Sequence, residues 1–208
     1  MPHALIVGAG IAGDALAVLL ERDGWRVTVV ELAPTLRGGG QTVDLRGDCR
    51  EVLARMDLLD ATRARLLPQR GAAWVNAAGR RLASMPVTAF GGRGFISSEE
   101  LLRSDLACLL HAACGPRVNH RFADTVEALE DTATGIRAHL RSGERLDADL
   151  VVGADGTHSR VRALRFGPEE HCRKPLGLAH AWFTLDKHAG TPSLDGWALM
   201  YNAPADAS

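Results

Sequence analysis

Glycines 8, 10 and 13, in Gly8-Ala9-Gly10-Ile11-Ala12-Gly13, are spaced so that a backbone without side chains can approach a diphosphate. The chemistry is binding: N–H groups at the start of a helix face the anion, and the glycines remove the Cβ atoms that would hold it off. An acidic residue completes such a site by accepting hydrogen bonds from a ribose diol. Glu31, 18 residues beyond Gly13, stands where that residue is needed. The glycine spacing alone is a weak signal, because the chain holds 22 glycines and an ordinary structural turn would read the same way.

Three further segments carry groups that could contact such a ligand. In Asp149-Leu-Val-Val-Gly-Ala-Asp155-Gly156-Thr-His-Ser159-Arg160-Val-Arg162, an apolar run ends in Asp155-Gly156, which would set a carboxylate and an open backbone at the carboxyl edge of a sheet. The alternative is an Asp-Gly turn with surface arginines. Arg37-Gly38-Gly39-Gly40-Gln41-Thr42-Val43-Asp44-Leu45-Arg46-Gly47 is a glycine-softened loop whose charges are Arg37, Asp44 and, as a weaker candidate, Arg46. A surface loop with incidental charges is the competing reading there. Arg103 lies among spaced leucines, where a guanidinium could meet a diphosphate or simply face solvent.

Other chemistries find no footing. None of the eight histidines forms an i, i+4 pair or a carboxylate cluster, so no metal site is expected, and no catalytic side chain stands out. Cys49, Cys108, Cys114 and Cys172 include no Cys-x-x-Cys pair and suit idle thiols in a reducing cytoplasm. No nucleophile elbow supports acyl transfer. Trp182 and Phe183 are the aromatic residues closest to a role at a substrate.

The elements that would position these groups follow from periodicity. Ala4 to Val7 is an apolar run ending at Gly8, as a buried parallel strand does. Ile11 to Arg22 has helical spacing and Arg26 to Glu31 is β-branched, which completes a right-handed βαβ unit. Helical periodicity returns from Asp48 to Arg65, a hairpin is expected within 71–97, and a helix is expected from Ser98 to about Cys114. Alternating segments from Thr125 to Leu146 read as an antiparallel meander, and Asp149 to Gly153 as another buried strand. Ala179 to Leu185 and Trp197 to Tyr201 suggest strands of a second sheet.

With 208 residues, 46% of them hydrophobic, the chain can bury a substantial core. Its formal charge of -1, from 24 basic and 25 acidic residues intermixed, gives no footprint for nucleic acid or an anionic membrane, so a small-molecule partner is expected. No secretory leader or membrane-length apolar stretch is found, and a cytoplasmic location is the expectation.

Gly8 to Gly13, Asp155-Gly156-x-x-Ser159-x-x-Arg162 and Arg103 together resemble single-component FAD-dependent monooxygenases of the para-hydroxybenzoate hydroxylase type. The Arg37-to-Asp44 segment is similar to the tetracycline-inactivating branch of that family. The resemblance implies an α/β fold: a Rossmann-like FAD-binding domain with a parallel sheet and a β-meander, plus an incomplete antiparallel substrate-domain sheet. The domains implied are 1–69 with 98–168 for FAD, and 70–97 with 169–208 for substrate. It implies FAD at Gly8, Gly10, Ile11, Ala12, Gly13, Glu31, Asp44, Arg103, Asp155 and Gly156, NADPH as reductant near Arg37, and hydroxylation of an aromatic or polyketide-like small molecule.

The family's third signature, a Gly-Asp-Ala-Ala type turn, is not in the sequence. The expectation is therefore an N-terminal portion only, with a separately encoded C-terminal half as one partner and an inactive FAD-binding remnant as the alternative. An NAD-dependent dehydrogenase ranks lower. Asp14 also departs from the family, which usually has an apolar residue there. Facing the sheet it would carry a desolvation cost, whereas facing solvent near a helix N-terminus it would be favourable.

Overall fold

A computed structural model describes residues 1–92, 94–181 and 194–203, so the expectation for Trp182, Phe183 and most of the strand at 179–185 lies outside the described residues. In chain order the strands and helices are β1 (His3–Val7), α1 (Ile11–Arg22), β2 (Arg26–Val30), β3 (Thr42–Asp44), α2 (Cys49–Arg55), α3 (Leu59–Arg63), β4 (Gly71–Val75) and β5 (Arg81–Pro86). They continue as β6 (Glu100–Leu102), α4 (Arg103–Ala113), β7 (Val118–Arg121), β8 (Val126–Thr132), β9 (Gly135–Leu140), β10 (Arg145–Ala148), β11 (Leu150–Gly153), α5 (Arg160–Phe166) and β12 (Trp197–Met200). No helix among the described residues is long and apolar enough to cross a membrane.

The chain divides into two compact units. The first comprises Met1–Gly38 and Ser104–Ala181. Its centre is a parallel sheet in the order β11-β1-β2-β7, with Ile6 level with Val29 on one side and Val152 on the other. Alternate residues of β1 feed two different cores. Leu5 and Val7 join Val30, Val126, Leu140 and Val161 on the face covered by the β8-β9-β10 meander and α5. Ile6 joins Ala17, Val27 and Val29 on the face covered by α1. A strand buried on both faces cannot alternate apolar with polar, which is why Ala4 to Val7 reads as an unbroken apolar run. The fold is α/β and Rossmann-like, with the parallel sheet and the meander both present.

The second unit comprises Gly39–Arg103 and the described part of Trp182–Ser208. It places the helical segment of α2 and α3 with the β4-β5 hairpin, whereas the sequence reading groups that segment with residues 1–69. Its sheet has the order β12-β4-β5, antiparallel within the hairpin and parallel between β12 and β4. Arg70 and Arg81 lie over the Trp197 ring at 5.7 and 4.8 Å from its centroid.

One element differs from expectation. The helix expected from Ser98 begins only at Arg103, because 100–102 form β6 and pair with β3, Leu101 opposite Val43. The Ser97 hydroxyl accepts from the Glu99 N–H and Leu101 is fully buried, so the apolar residue is used by the ladder before helical geometry starts.

Candidate functional site

The turn from β1 into α1 is built by close approach. Gly8 has φ +107° and a Cβ there would fall 2.5 Å from the Ala154 carbonyl oxygen, so only glycine fits. At Gly13 a Cβ would fall 1.9 Å from the Gly8 carbonyl oxygen, which lets α1 sit directly on the strand end. Gly10 is the N-cap of α1 and offers no side chain, so the first-turn N–H groups of Ile11, Ala12 and Gly13 have no capping acceptor from a side chain. A twelve-residue helix thus presents its positive end unfilled.

Glu31 follows β2 directly. Its Oε2 accepts from the Ala9 N–H at 2.9 Å and its Oε1 from the Ala33 N–H at 2.8 Å. Both bonds fix the carboxylate beside the glycine turn while leaving further lone pairs for a diol. Arg37 lies 3.8 Å from Glu31 Oε1 with a largely exposed side chain. Gly8, Gly10, Ile11, Ala12, Gly13, Glu31 and Arg37 are all in the first unit.

Asp155 and Gly156 also lie in the first unit, in the turn after β11. Asp155 Oδ1 accepts from the Ser159 hydroxyl at 2.5 Å, and Oδ2 accepts from the N–H groups of Arg160 and Val161. Ser159 in turn accepts from the Arg162 N–H at 3.0 Å, and the Arg162 guanidinium donates to the Thr157 carbonyl at 2.9 Å. Each polar member of the Asp-Gly-x-x-Ser-x-x-Arg pattern is therefore engaged in starting α5. Gly156, at φ +82°, leaves open space where a Cβ would be.

Asp44 and Arg103 belong to the second unit. Arg46 Nε donates to Asp44 Oδ2 at 2.8 Å, and the same guanidinium donates to the carbonyls of Gly94 and Phe95, so Arg46 braces its loop. The Arg103 N–H donates to the Gln41 carbonyl at 3.0 Å, and no carboxylate pairs with its guanidinium among the described residues. His158 is exposed and contacts Glu169.

Two features have no announcement in sequence spacing. Glu21, nearly buried on α1, accepts from the Gly115 and Arg117 N–H groups at 2.6 and 2.9 Å, which ties the end of α1 to the turn before β7. Asp14 is fully buried and faces inward, where His120 Nε2 lies 2.9 Å from Oδ1 and His111 Nδ1 lies 3.3 Å from Oδ2. His120 is 106 positions from Asp14, beyond any local pattern.

The model of a family described as an FAD binding domain matches residues 2–180. The chain belongs to that family. An uncharacterized protein of Mycobacterium tuberculosis is 41% identical over 202 residues, 97% of this chain and 54% of that protein. The FAD-dependent monooxygenase asL4 of Sarocladium schorii is 40% identical over 167 residues, 79% of this chain and 39% of its own length. Among solved structures, the tetracycline destructase Tet(51) is 30% identical with a TM-score of 0.69, covering 80% of this chain and 42% of that one. The chain spans about half the length of the curated relatives it matches.

Proposed function

We propose that this chain is the flavin-holding part of an NAD(P)H-dependent monooxygenase that hydroxylates an aromatic or polyketide-like small molecule. The observation that carries the reading is the glycine-cleared, uncapped N-terminus of α1 with the Glu31 carboxylate fixed beside it. Those residues fit a dinucleotide: the cradle at Gly8 and Gly13 excludes any Cβ, and the free N–H groups call for an anion. Gly8, Gly10, Ile11, Ala12 and Gly13 would take the FAD diphosphate and Glu31 the adenosine ribose.

Bound FAD would supply the redox chemistry, accepting a hydride equivalent from NADPH and activating oxygen. The protein's part is to bind and orient. Asp155 sets the turn that carries Gly156 by starting α5, and the open backbone at Gly156 leaves room for the cofactor. Asp44 and Arg103 are assigned to FAD, and Arg37 to NADPH, by their match to the family pattern. The exposed Arg37 guanidinium, held only at 3.8 Å from Glu31, suits a cation free to meet a phosphate. Relatives named as flavin-dependent monooxygenases support the activity, and the likeness to a tetracycline destructase supports a polyketide-like substrate.

Equilibrium titration of the folded protein with FAD, followed by flavin fluorescence, tests the reading. Saturable binding that Gly10→Trp abolishes is expected, as is bleaching of the visible flavin band by NADPH under anaerobic conditions. A folded preparation without FAD affinity, or with affinity unchanged by Gly10→Trp, overturns it.

A further inference from the structure

Asp14, His111 and His120 come from three different elements, α1, α4 and β7, and their ligand-type atoms all lie within 4.8 Å of one another. None of them belongs to the glycine turn or to the Asp155 turn. The geometry is unusual for a plain hydrogen-bonded cluster. Asp14 is fully buried, and its Oδ1 is matched by His120 Nε2 at 2.9 Å, but its Oδ2 has no hydrogen-bond partner. His111 Nδ1, 3.3 Å away, is likewise buried without one. Two facing heteroatoms without a hydrogen bond in a buried pocket represent an uncompensated desolvation, which a shared cation removes.

We propose that Asp14, His111 and His120 bind a divalent transition-metal ion of the zinc class, a structural site joining α1, α4 and β7. Two imidazoles and a carboxylate are a donor set that suits zinc, with water in the fourth position. In a tetrahedral zinc site with bonds of about 2.0 Å, neighbouring ligand atoms are roughly 3.3 Å apart. The 2.9 and 3.3 Å separations run to different oxygens of Asp14, and with one atom from each residue the three lie within 4.8 Å of one another, so binding an ion must draw the set together. His111 is one-third exposed at its side chain, which gives the ion an entry path and the coordinating water its place. To bind the ion, neutral His120 carries its proton on Nδ1 and neutral His111 on Nε2, so that Nε2 of the first and Nδ1 of the second each offer a lone pair to the metal. The site would fix the first turn of α1 from its buried side, independently of what occupies its N-terminal end.

Calorimetric titration of chelator-treated protein with Zn²⁺, alongside thermal melting, tests this. About one equivalent should bind, and the melting temperature should rise with free zinc as mass action requires. Co²⁺ should give the intense visible absorption of a tetrahedral site. His111→Gln and His120→Gln should each weaken binding about tenfold or more, while His158→Gln, on the exposed surface, should not. His111→Gln is the decisive variant, since a partly exposed ring is the least needed for folding. Absence of saturable Zn²⁺ or Co²⁺ binding by folded protein, or equal affinity in His111→Gln, overturns the proposal and leaves an imidazole–carboxylate contact in its place. Both readouts are independent of FAD, so failure here is distinguishable from failure of the flavin reading.

Discussion

Two strand–turn–helix units of the first unit start from the same plan and end differently. β1 leads through Gly8 into α1, and β11 leads through Asp155-Gly156 into α5, with β1 and β11 paired side by side. At α1 the N-cap is glycine and no side chain accepts the first-turn N–H groups. At α5 the chain supplies its own acceptors, Asp155 and Ser159, and both are in use. A helix N-terminus is thus available to a ligand only where the sequence withholds a capping side chain, and the glycines matter for what they leave empty. The Asp-Gly signature looks as charged and as suggestive in sequence, yet its carboxylate is engaged with its own helix.

The most severe way to break the contrast is to fill the empty turn. Gly13→Ala places a methyl group 1.9 Å from the Gly8 carbonyl oxygen, which neither α1 nor β1 can avoid without moving. A loss of about 3 kcal/mol in unfolding free energy is expected, read from urea denaturation, with FAD binding lost as well. Glu31→Gln is milder: the shape is kept, but the amide has one acceptor oxygen where the carboxylate has two, so one of the bonds from the Ala9 and Ala33 N–H groups is lost along with the charge. FAD affinity should fall by about 2 kcal/mol, or roughly 30-fold, with the folded state retained by circular dichroism.

Asp155→Ala sharpens the comparison from the other side. Removing the acceptor of the Arg160 and Val161 N–H groups should cost about 1–2 kcal/mol of stability. FAD affinity in the folded variant should change less than about fivefold, the factor that corresponds to about 1 kcal/mol. A fall as large as that of Glu31→Gln would instead put the carboxylate on the cofactor and erase the difference between the two turns.

How much of this was legible in sequence depends on how local the cause is. The βαβ unit, the hairpin and the meander could be read because burial on two faces, helical spacing and alternation are written in neighbouring residues. The start of α4 could not, because 100–102 are recruited by β3, nearly sixty positions away, and a short ladder overrides the helical spacing of the leucines. The role of Asp14 was not decided by its neighbours: local rules made the outward orientation favourable and the inward one costly, and the inward one is met by His111 and His120 on distant elements. Glu31 was legible by its distance from the glycines. That Asp155 is engaged in capping was readable in principle, since Ser159 and Arg162 stand three residues apart at the start of a helix, as a capping pair does.

The smallest expected effect concerns what holds β1 and β11 in register within the first unit. At the far end of β1 from the glycine turn, the His3 N–H donates to Asp149 Oδ2 at 2.7 Å. Its ring Nδ1 lies 2.8 Å from the Asp147 carbonyl, and Nε2 lies 2.8 Å from the Thr28 hydroxyl. The neutral ring suits this arrangement, with Nδ1 donating and Nε2 accepting. Burial is the main reason its pKa lies below the ordinary 6.5, with the Arg26 charge acting in the same direction and the Asp147 carbonyl opposing. The unfolded chain therefore binds this proton more readily than the folded one, so the contribution of neutral His3 is fully present above pH 6.5 and is lost as pH falls towards and through the lowered folded value. Urea midpoints measured from pH 7.5 down to 5 should decline more steeply for the wild type than for His3→Asn. Equal slopes would show that the pairing of β1 with β11, and so the alignment of the two turns, does not depend on the charge state of this ring.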